Sequence, residues 1–513
     1  MKYVVILHAN LNYAYLPERR YEFVIRNSYE LILDTMRECC PNDKFVFEAS
    51  GYTIEQIALK TPGVLEKLKA AIACGQCEFM GSPYAHPMLP NFPEEDGKWA
   101  IHFSNQAYRK YLGIQPRSFW NPECGWRSYV KNQVADNGYR NLLAEFEQYS
   151  RSLDAAGKPL RPEIHEVEKI DNSRFYNFEF KYDLPGTEKA IHFPFKNLEG
   201  MESDRLRVFL RTDRIAVFGV RYFMSHPGHT LENYIELIKK YSQQNPGEPE
   251  GALLIYADDA EYIGTNAWYN LKYCNNPDDI FAKMSDAREK LVQLVEAVRS
   301  LGDLVTFDHA CNDLPALEDK LNFDDNMAWH GGQASNWANT PMAKLLRPWQ
   351  DQVREKLRSM EKSLPSAVAE KIWFHLTNSY NSDGQWPPTT KASPHIIHPF
   401  NYKYNFDNLL AAETLLGGVD RSQIDASPVS AMNAIFTMQQ ALVLEKAETI
   451  VETGTEEQKE KARLARELIQ RSRGMIQAFN GARILYPSEY EVHANMLIEA
   501  RQLVGGVIVA GDK

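Results

Sequence analysis

The sequence predicts an α/β chain, a barrel of parallel strands over roughly the first 310 residues followed by a helical domain. Three observations lead there. Short β-rich runs alternate with amphipathic helical stretches through the first part, the pattern of consecutive βαβ units. Beyond residue 340 the β-runs thin out and helical patterns, most of them long, take over. At 513 residues the chain also exceeds one ordinary core, so two domains, or a barrel with an appendage, are expected.

The first strand is Tyr3–His8, an apolar run too short for the core of a signal peptide. Further strands are expected at Lys44–Glu48, Cys77–Gly81, Arg117–Trp120, Asn141–Glu145, Arg207–Arg211, Leu253–Ala257 and Leu304–Phe307. Amphipathic stretches such as Val64–Ala73, Leu231–Tyr241 and Lys283–Ser300 lie between them. That supply suits a barrel related to the eight-fold one, with room for a missing unit. The barrel domain is placed at 1–315 and a connecting segment at 316–340, which includes the Trp-, Gly- and Asn-rich MAWHGGQASNWANT. A helical domain follows at 341–513, with helices at Met342–Lys362, Phe406–Leu416, Val429–Glu452, Glu456–Ile476 and Ser488–Leu503. The charged stretch 456–467 reads as a solvated helix face.

Composition narrows the function classes. The net charge of −11, with no lysine/arginine block, argues against nucleic acid or an anionic membrane as partner. No run approaches the length of a membrane span. Seven cysteines, including the adjacent Cys39 and Cys40, read as reduced thiols of a cytoplasmic protein. Cys74 and Cys77 have redox spacing, but no second pair or nearby histidines accompany them. Aromatic residues make up 12% of the chain, with 26 Tyr and 9 Trp. Ring faces pack on the C–H faces of sugars, so this abundance suits a carbohydrate groove as well as a core.

The chemistry-bearing residues fall at or after expected strand ends, where barrels of this kind gather reacting groups. HANLNY supplies His8 and Asn10, FEASGYT supplies Glu48, and CEFMGSPYAHPMLP supplies Glu78 and His86. FWNPECGW sets Glu123 between Trp120 and Trp126. RVFLRTDR delivers Arg211 and Asp213, and LLIYADDAEYIG delivers Asp258, Asp259 and Glu261. Each alone reads as a loop or capping residue; their recurrence at successive strand ends is what counts. Two carboxylates across a cleft with aromatic walls is the equipment of glycoside hydrolysis. The crowded Asp258-Asp259-Ala260-Glu261 suits the acid, because like charges raise the pKa of one member. No cofactor is called for, and no metal-ligand spacing is evident.

These residues resemble glycoside hydrolase family 57. Its five motif regions correspond in order to HANLNY, GQCEFMGSPYAHPMLP, WNPECGW, ADDAEYIG and the later AWHGGQASNW/NSYNSDGQW region. The resemblance implies a distorted (β/α)7 barrel completed by a helical domain, and a retaining mechanism through a glycosyl-enzyme. It implies Glu123 as nucleophile and Asp259 as general acid/base, with His8, Glu78, His86, Trp120 and Trp126 in the pocket. Trp329, His330 and Trp337 are expected to approach the sugar from the helical side. Many α-glucan-acting members carry His-Gln-Pro in the first motif, where this chain has His8-Ala9-Asn10. That departure, with YAHPMLP and AEYIG, points to the family's α-galactosidase-like branch.

The runner-up is an α-1,4-glucan hydrolase or 4-α-glucanotransferase; either way the partner is an α-linked saccharide. A metal-dependent deacetylase would use His226 and His229, but Pro227-Gly228 between them prevents a shared helical face. A silent sugar-binding protein would not need both carboxylates.

Overall fold

A computed structural model describes residues 1–13, 16–146, 153, 156–158, 191–202, 204–243, 253–265, 281–323, 325–328, 332–386, 399–423, 427–478 and 487–505. The chain divides into two compact units. The first comprises Met1–Asn12, Glu18–Asn266 and Ala282–Ala334. The second comprises Tyr13–Pro17, Ala267–Phe281 and Ser335–Lys513.

The first unit is built on one curled sheet. Its strands are β1 (Lys2–Ala9), β2 (Phe45–Ala49), β3 (Cys77–Gly81), β4 (Ser118–Trp120), β5 (Asn141–Glu145), β6 (Phe195–Leu198), β7 (Arg207–Arg211), β8 (Leu253–Asp259), β9 (Asp303–Leu304) and β10 (Leu317–Leu321). Their order is β10-β6-β7-β5-β4-β3-β2-β1-β8, with β9 alongside the start of β1. The run β8-β1-β2-β3-β4-β5-β7 is parallel throughout and forms the distorted (β/α)7 barrel. β6 joins β7 antiparallel, and β10 extends the sheet parallel to β6.

Side-chain alternation sorts the barrel interior into layers. Val4 and Ile6, Val46, Met80, Trp120, Leu143, Phe209, and Ile255 with Ala257 form one buried cluster drawn from every barrel strand. Residues of the same parity one step further on are His8, Glu48, Glu145, Arg211 and Asp259, at the C-terminal ends of the strands. One step the other way are Glu78, Ser118, Asn141 and Arg207. Below these, the helix Phe307–Asp313 inserts Phe307, Ala310 and Cys311 into the same cluster. The sequence reading made Leu304–Phe307 a strand; Thr306 instead caps this helix, its hydroxyl accepting from the His309 amide at 3.3 Å.

The second unit is helical: Pro341–Met360, Ser366–Asn378, Pro399–Leu415, Ser427–Thr453, Glu456–Ala478 and Pro487–Leu503. Ser366–Asn378 was not foreseen, although Ala369, Ile372, Trp373 and Leu376 bury one face at helical spacing. Among the described residues no helix is long and apolar enough to cross a membrane.

Candidate active site

The site is assembled at the C-terminal mouth of the barrel, and register explains how. His8 on β1 lies opposite Glu48 on β2 and opposite Asp259 on β8. Parity sends all three side chains inward. His8 Nδ1 and a Glu48 carboxylate oxygen are in close hydrogen-bonding contact, with Glu48 fully buried. On its other side His8 Nε2 stands 4.0 Å from Asp259 Oδ1. The His8 ring also lies 5.2 Å from the Trp120 ring and 5.0 Å from that of His86. Histidine, two carboxylates and an indole therefore share one end of the interior.

The two histidines are held in opposite charge states. Burial opposes protonation of His8, but the charge and hydrogen bond of Glu48, then the charges of Asp259 and Glu261, raise its pKa to about 10. His86 is pushed well below the ordinary histidine value, first by burial and then by the positive charge of His8. At neutral pH the mouth thus contains an imidazolium paired with Glu48 and a neutral imidazole beside it.

Glu123 follows β4 in the short turn Pro122–Cys124 and is buried. Its backbone is left-handed, at φ 54°, and Cys124 is also left-handed, at φ 47°. Two consecutive non-glycine residues in this region cost on the order of 1–3 kcal/mol each and persist only where surroundings hold them. The surroundings here do so. Pro122 restricts its own φ, and the Cys124 and Gly125 amides donate to the Asn121 and Pro122 carbonyls at 2.9 and 3.0 Å. The Asn121 side-chain amide donates to the Gly125 carbonyl. Trp120 Nε1 donates to Cys124 Sγ at 3.2 Å, tying the strand end to the turn. His86 is a third left-handed residue at the same mouth, at φ 53°.

The other expected residues divide. Glu261 is fully buried and accepts from the Asn10 amide at 2.8 Å and from the Tyr29 hydroxyl, so it supports the loop after β1. Burial raises its pKa to about 7, against the lowering effects of His8, Tyr29 and the Asn10 amide. Asp258 has the opposite parity to Asp259, and its Oδ1 accepts from the Asp259 amide at 2.8 Å. Arg211 and Asp213 are fully buried and form an ion cluster with Glu145, at 2.6 Å from Arg211 to Glu145 and 3.0 Å to Asp213. The Arg211 guanidinium is 5.9 Å from the centre of the Trp120 ring. They back the mouth instead of lining it. Sequence reasoning missed Glu145 and Tyr29: one ends an apolar strand and the other lies inside a helix, and neither carries a local motif.

Glu78 is a correction. It sits near the start of β3, at the opposite end of the barrel, where its Oε2 accepts from the Asp308 amide at 2.7 Å. Trp126 also turns elsewhere, meeting Phe323 edge to face at 4.8 Å. Trp337 belongs to the second unit and packs edge-on against Trp386 at 5.5 Å. Trp329 and His330 lie outside the described residues. Among the described residues no three His, Cys, Asp or Glu side chains converge as a metal site would require. His226 and His229 approach at 3.2 Å between Nδ1 atoms, but Arg221 contacts His229 at 3.3 Å, a cation where a metal would need the space.

The model of glycosyl hydrolase family 57 matches residues 1–274, more than half of the chain. The chain belongs to glycosyl hydrolase family 57. Among curated relatives, this family-57 chain is 24% identical over 132 residues to alpha-amylase 1 of Dictyoglomus thermophilum, covering 25% of this chain and 19% of the relative. Several solved structures share its fold, among them two enzymes. One is the family-57-type branching enzyme of Pyrococcus horikoshii, with TM-score 0.57, 13% identity, and 80% of this chain and 88% of that one covered. The other is the 4-alpha-glucanotransferase of Thermococcus litoralis, with TM-score 0.52 and 15% identity, covering 80% of this chain and 58% of that one. The chain thus spans about a fifth of the amylase and somewhat over half of the glucanotransferase.

Proposed function

We propose that this chain is a retaining α-glycosidase acting on α-1,4-linked glucans by double displacement, with Glu123 as nucleophile and Asp259 as general acid/base. The observation that carries the proposal is the convergence of His8, Glu48, Trp120 and Asp259 on one barrel mouth, immediately before the strained turn that holds Glu123. In the first step the Glu123 carboxylate adds to the anomeric carbon and the bond to the leaving oxygen breaks. That oxygen takes the Asp259 proton. Water then adds to the same carbon, gives a proton to Asp259 and releases Glu123, so configuration is retained. A sugar hydroxyl in place of water gives transfer instead of hydrolysis. His8, paired with Glu48, holds its ring beside Asp259, where it can reach a sugar hydroxyl, and the buried Trp120 indole packs against that ring.

Support for glucose over galactose comes from the named relatives, an amylase, a glucanotransferase and a branching enzyme. A second reading, α-galactoside hydrolysis, is favoured by His8-Ala9-Asn10 in the first motif. A screen of maltooligosaccharides, p-nitrophenyl α-glucoside and p-nitrophenyl α-galactoside, with products resolved by anomer, separates them. Turnover of maltooligosaccharides with the α-anomer formed first is expected. Turnover of the galactoside alone would transfer the assignment to the second reading, and a β-anomer formed first would remove the retaining mechanism.

A further inference from the structure

A cavity of about 240 Å³ opens beside Trp126 where the two added strands, β6 and β10, come to an end. Its walls include Trp126, Phe323, Lys131, Glu199, Asn322 and Asp325, and none of the residues that gather at His8. One wall is the nearly buried aromatic pair Trp126 and Phe323, 6% and 3% exposed, and it is fixed in place. The Trp126 amide donates to the Met327 carbonyl at 2.8 Å, and the Asn326 amide returns a bond to the Trp126 carbonyl at 3.0 Å. The edge-to-face contact with Phe323 then sets the tilt of the indole. The other walls are polar. Lys131 is buried and donates to the Glu199 carbonyl, and Asp325 Oδ1 accepts from the Ser128 amide at 2.7 Å.

The chemistry of these walls selects a ligand class. The ammoniums of Lys131 and Lys320, the latter 3.8 Å from Glu199, balance the carboxylates of Glu199 and Asp325 and leave no surplus of positive charge for a phosphate or carboxylate. A wholly apolar ligand would strip water from Lys131 and Asp325 without replacing its hydrogen bonds. A pyranose satisfies both, with C–H groups for the aromatic wall and hydroxyls for the polar ones. The volume lies below the ~300 Å³ lower end of drug-sized pockets, enough for one sugar ring and too little for an oligosaccharide. Only Cys124 and Gly125 separate Trp126 from Glu123. A Cβ on Gly125 would stand 2.5 Å from Met88 Sδ, so the spacer is tightly packed at this residue.

We propose that this cavity is a secondary saccharide subsite that takes one hexose unit of the α-glucan outside the reacting pair. The proposal rests on the glucan reading given above. Its test is maltohexaose affinity, by titration calorimetry on the full chain carrying Glu123→Gln to suppress turnover. Adding Ser128→Trp, which fills the cavity from its exposed rim, is expected to weaken binding about tenfold. Phe323→Ala, which removes part of the aromatic wall, is expected to do likewise, and it decides the matter if Ser128→Trp does not fold. Unchanged affinity in the folded variant overturns the subsite while leaving the glucan reading standing. If the parent neither binds maltohexaose nor turns over any α-glucan, the glucan reading fails and the subsite falls with it.

Discussion

The two ends of the barrel interior are made from the same strands and look alike by composition. At the C-terminal end, His8, Glu48, Glu145, Arg211 and Asp259 form a polar layer; at the N-terminal end, Glu78, Ser118, Asn141 and Arg207 form another. Each end holds a glutamate whose pKa burial raises to about 7, the fully buried Glu261 above and the half-buried Glu78 below. What differs is the use of the polar groups. Below, the helix Phe307–Asp313 closes the barrel, and Glu78 accepts from its Asp308 amide while Asn141 donates to Asp308 Oδ1 at 2.9 Å. That layer is consumed by structure. Above, the Asp259 side chain keeps 14% exposure, and three left-handed residues are retained at a cost in stability. A buried carboxyl with a shifted pKa is therefore poor evidence of catalysis unless some of its neighbourhood remains open to a ligand.

The sharpest way to break this contrast is at Glu123. Glu123→Ala should lower turnover of both maltooligosaccharides and activated aryl glycosides by about three orders of magnitude or more, since no covalent step remains. Near-normal turnover in a folded variant would reduce Glu123 to a strained loop charge. Asp259→Ala should lose roughly 10²–10⁴-fold on natural substrates. It should still form the glycosyl-enzyme from aryl glycosides with acidic leaving groups, and azide should release an α-glycosyl azide. A β-azide, or no rescue at all, would assign Asp259 another role.

The smallest expected effect on activity is at the lower end. Glu78→Gln should leave kcat/KM within about twofold, because its carboxyl faces the closing helix. Stability should respond instead. With a folded pKa of about 7 against an ordinary 4.5, the contribution of Glu78 is whole below pH 4.5 and is lost as pH rises through 7. The loss approaches roughly 3 kcal/mol above that window. Denaturant melts of the parent and Glu78→Gln between pH 4 and 8 should diverge in that direction, the variant gaining relative stability at high pH. Parallel curves would show that Glu78 is ionised at no cost and that the layer is wetter than it looks.

Much of this was legible beforehand because it depends on local patterning. β3, β5 and β7 fall where apolar runs placed them, and the long helices of the second unit agree to within a residue or two, except that Pro399–Leu415 starts seven residues before its expected Phe406. Alternation along β1, β2 and β8 already puts His8, Glu48 and Asp259 on one face. The same alternation, combined with the position of Glu78 as the second residue of β3, would have sent it to the far end. β6 and β10 escaped because FKNL and LEDKL are short, interrupted by charged or polar residues, and bury only Phe195, Leu198 and Leu321. The burial of Arg211 and Asp213 was hidden for another reason: it depends on Glu145, which lies far off in sequence and is matched only by the fold.

The position of β8 in the sheet has a consequence for timing. Among the described residues its ladder runs along β1 alone, whereas β4 is paired on both sides, by β3 and β5. The strand ahead of Glu123 is thus clamped twice, and the one carrying Asp259 is clamped once. Amide hydrogens of β8 should accordingly exchange with deuterium sooner than those of β4. On the proposed assignment this asymmetry suits the division of labour. The residue that bonds to carbon is needed at one fixed point, while the residue that ferries a proton between a departing oxygen and an incoming one benefits from a tether with some play.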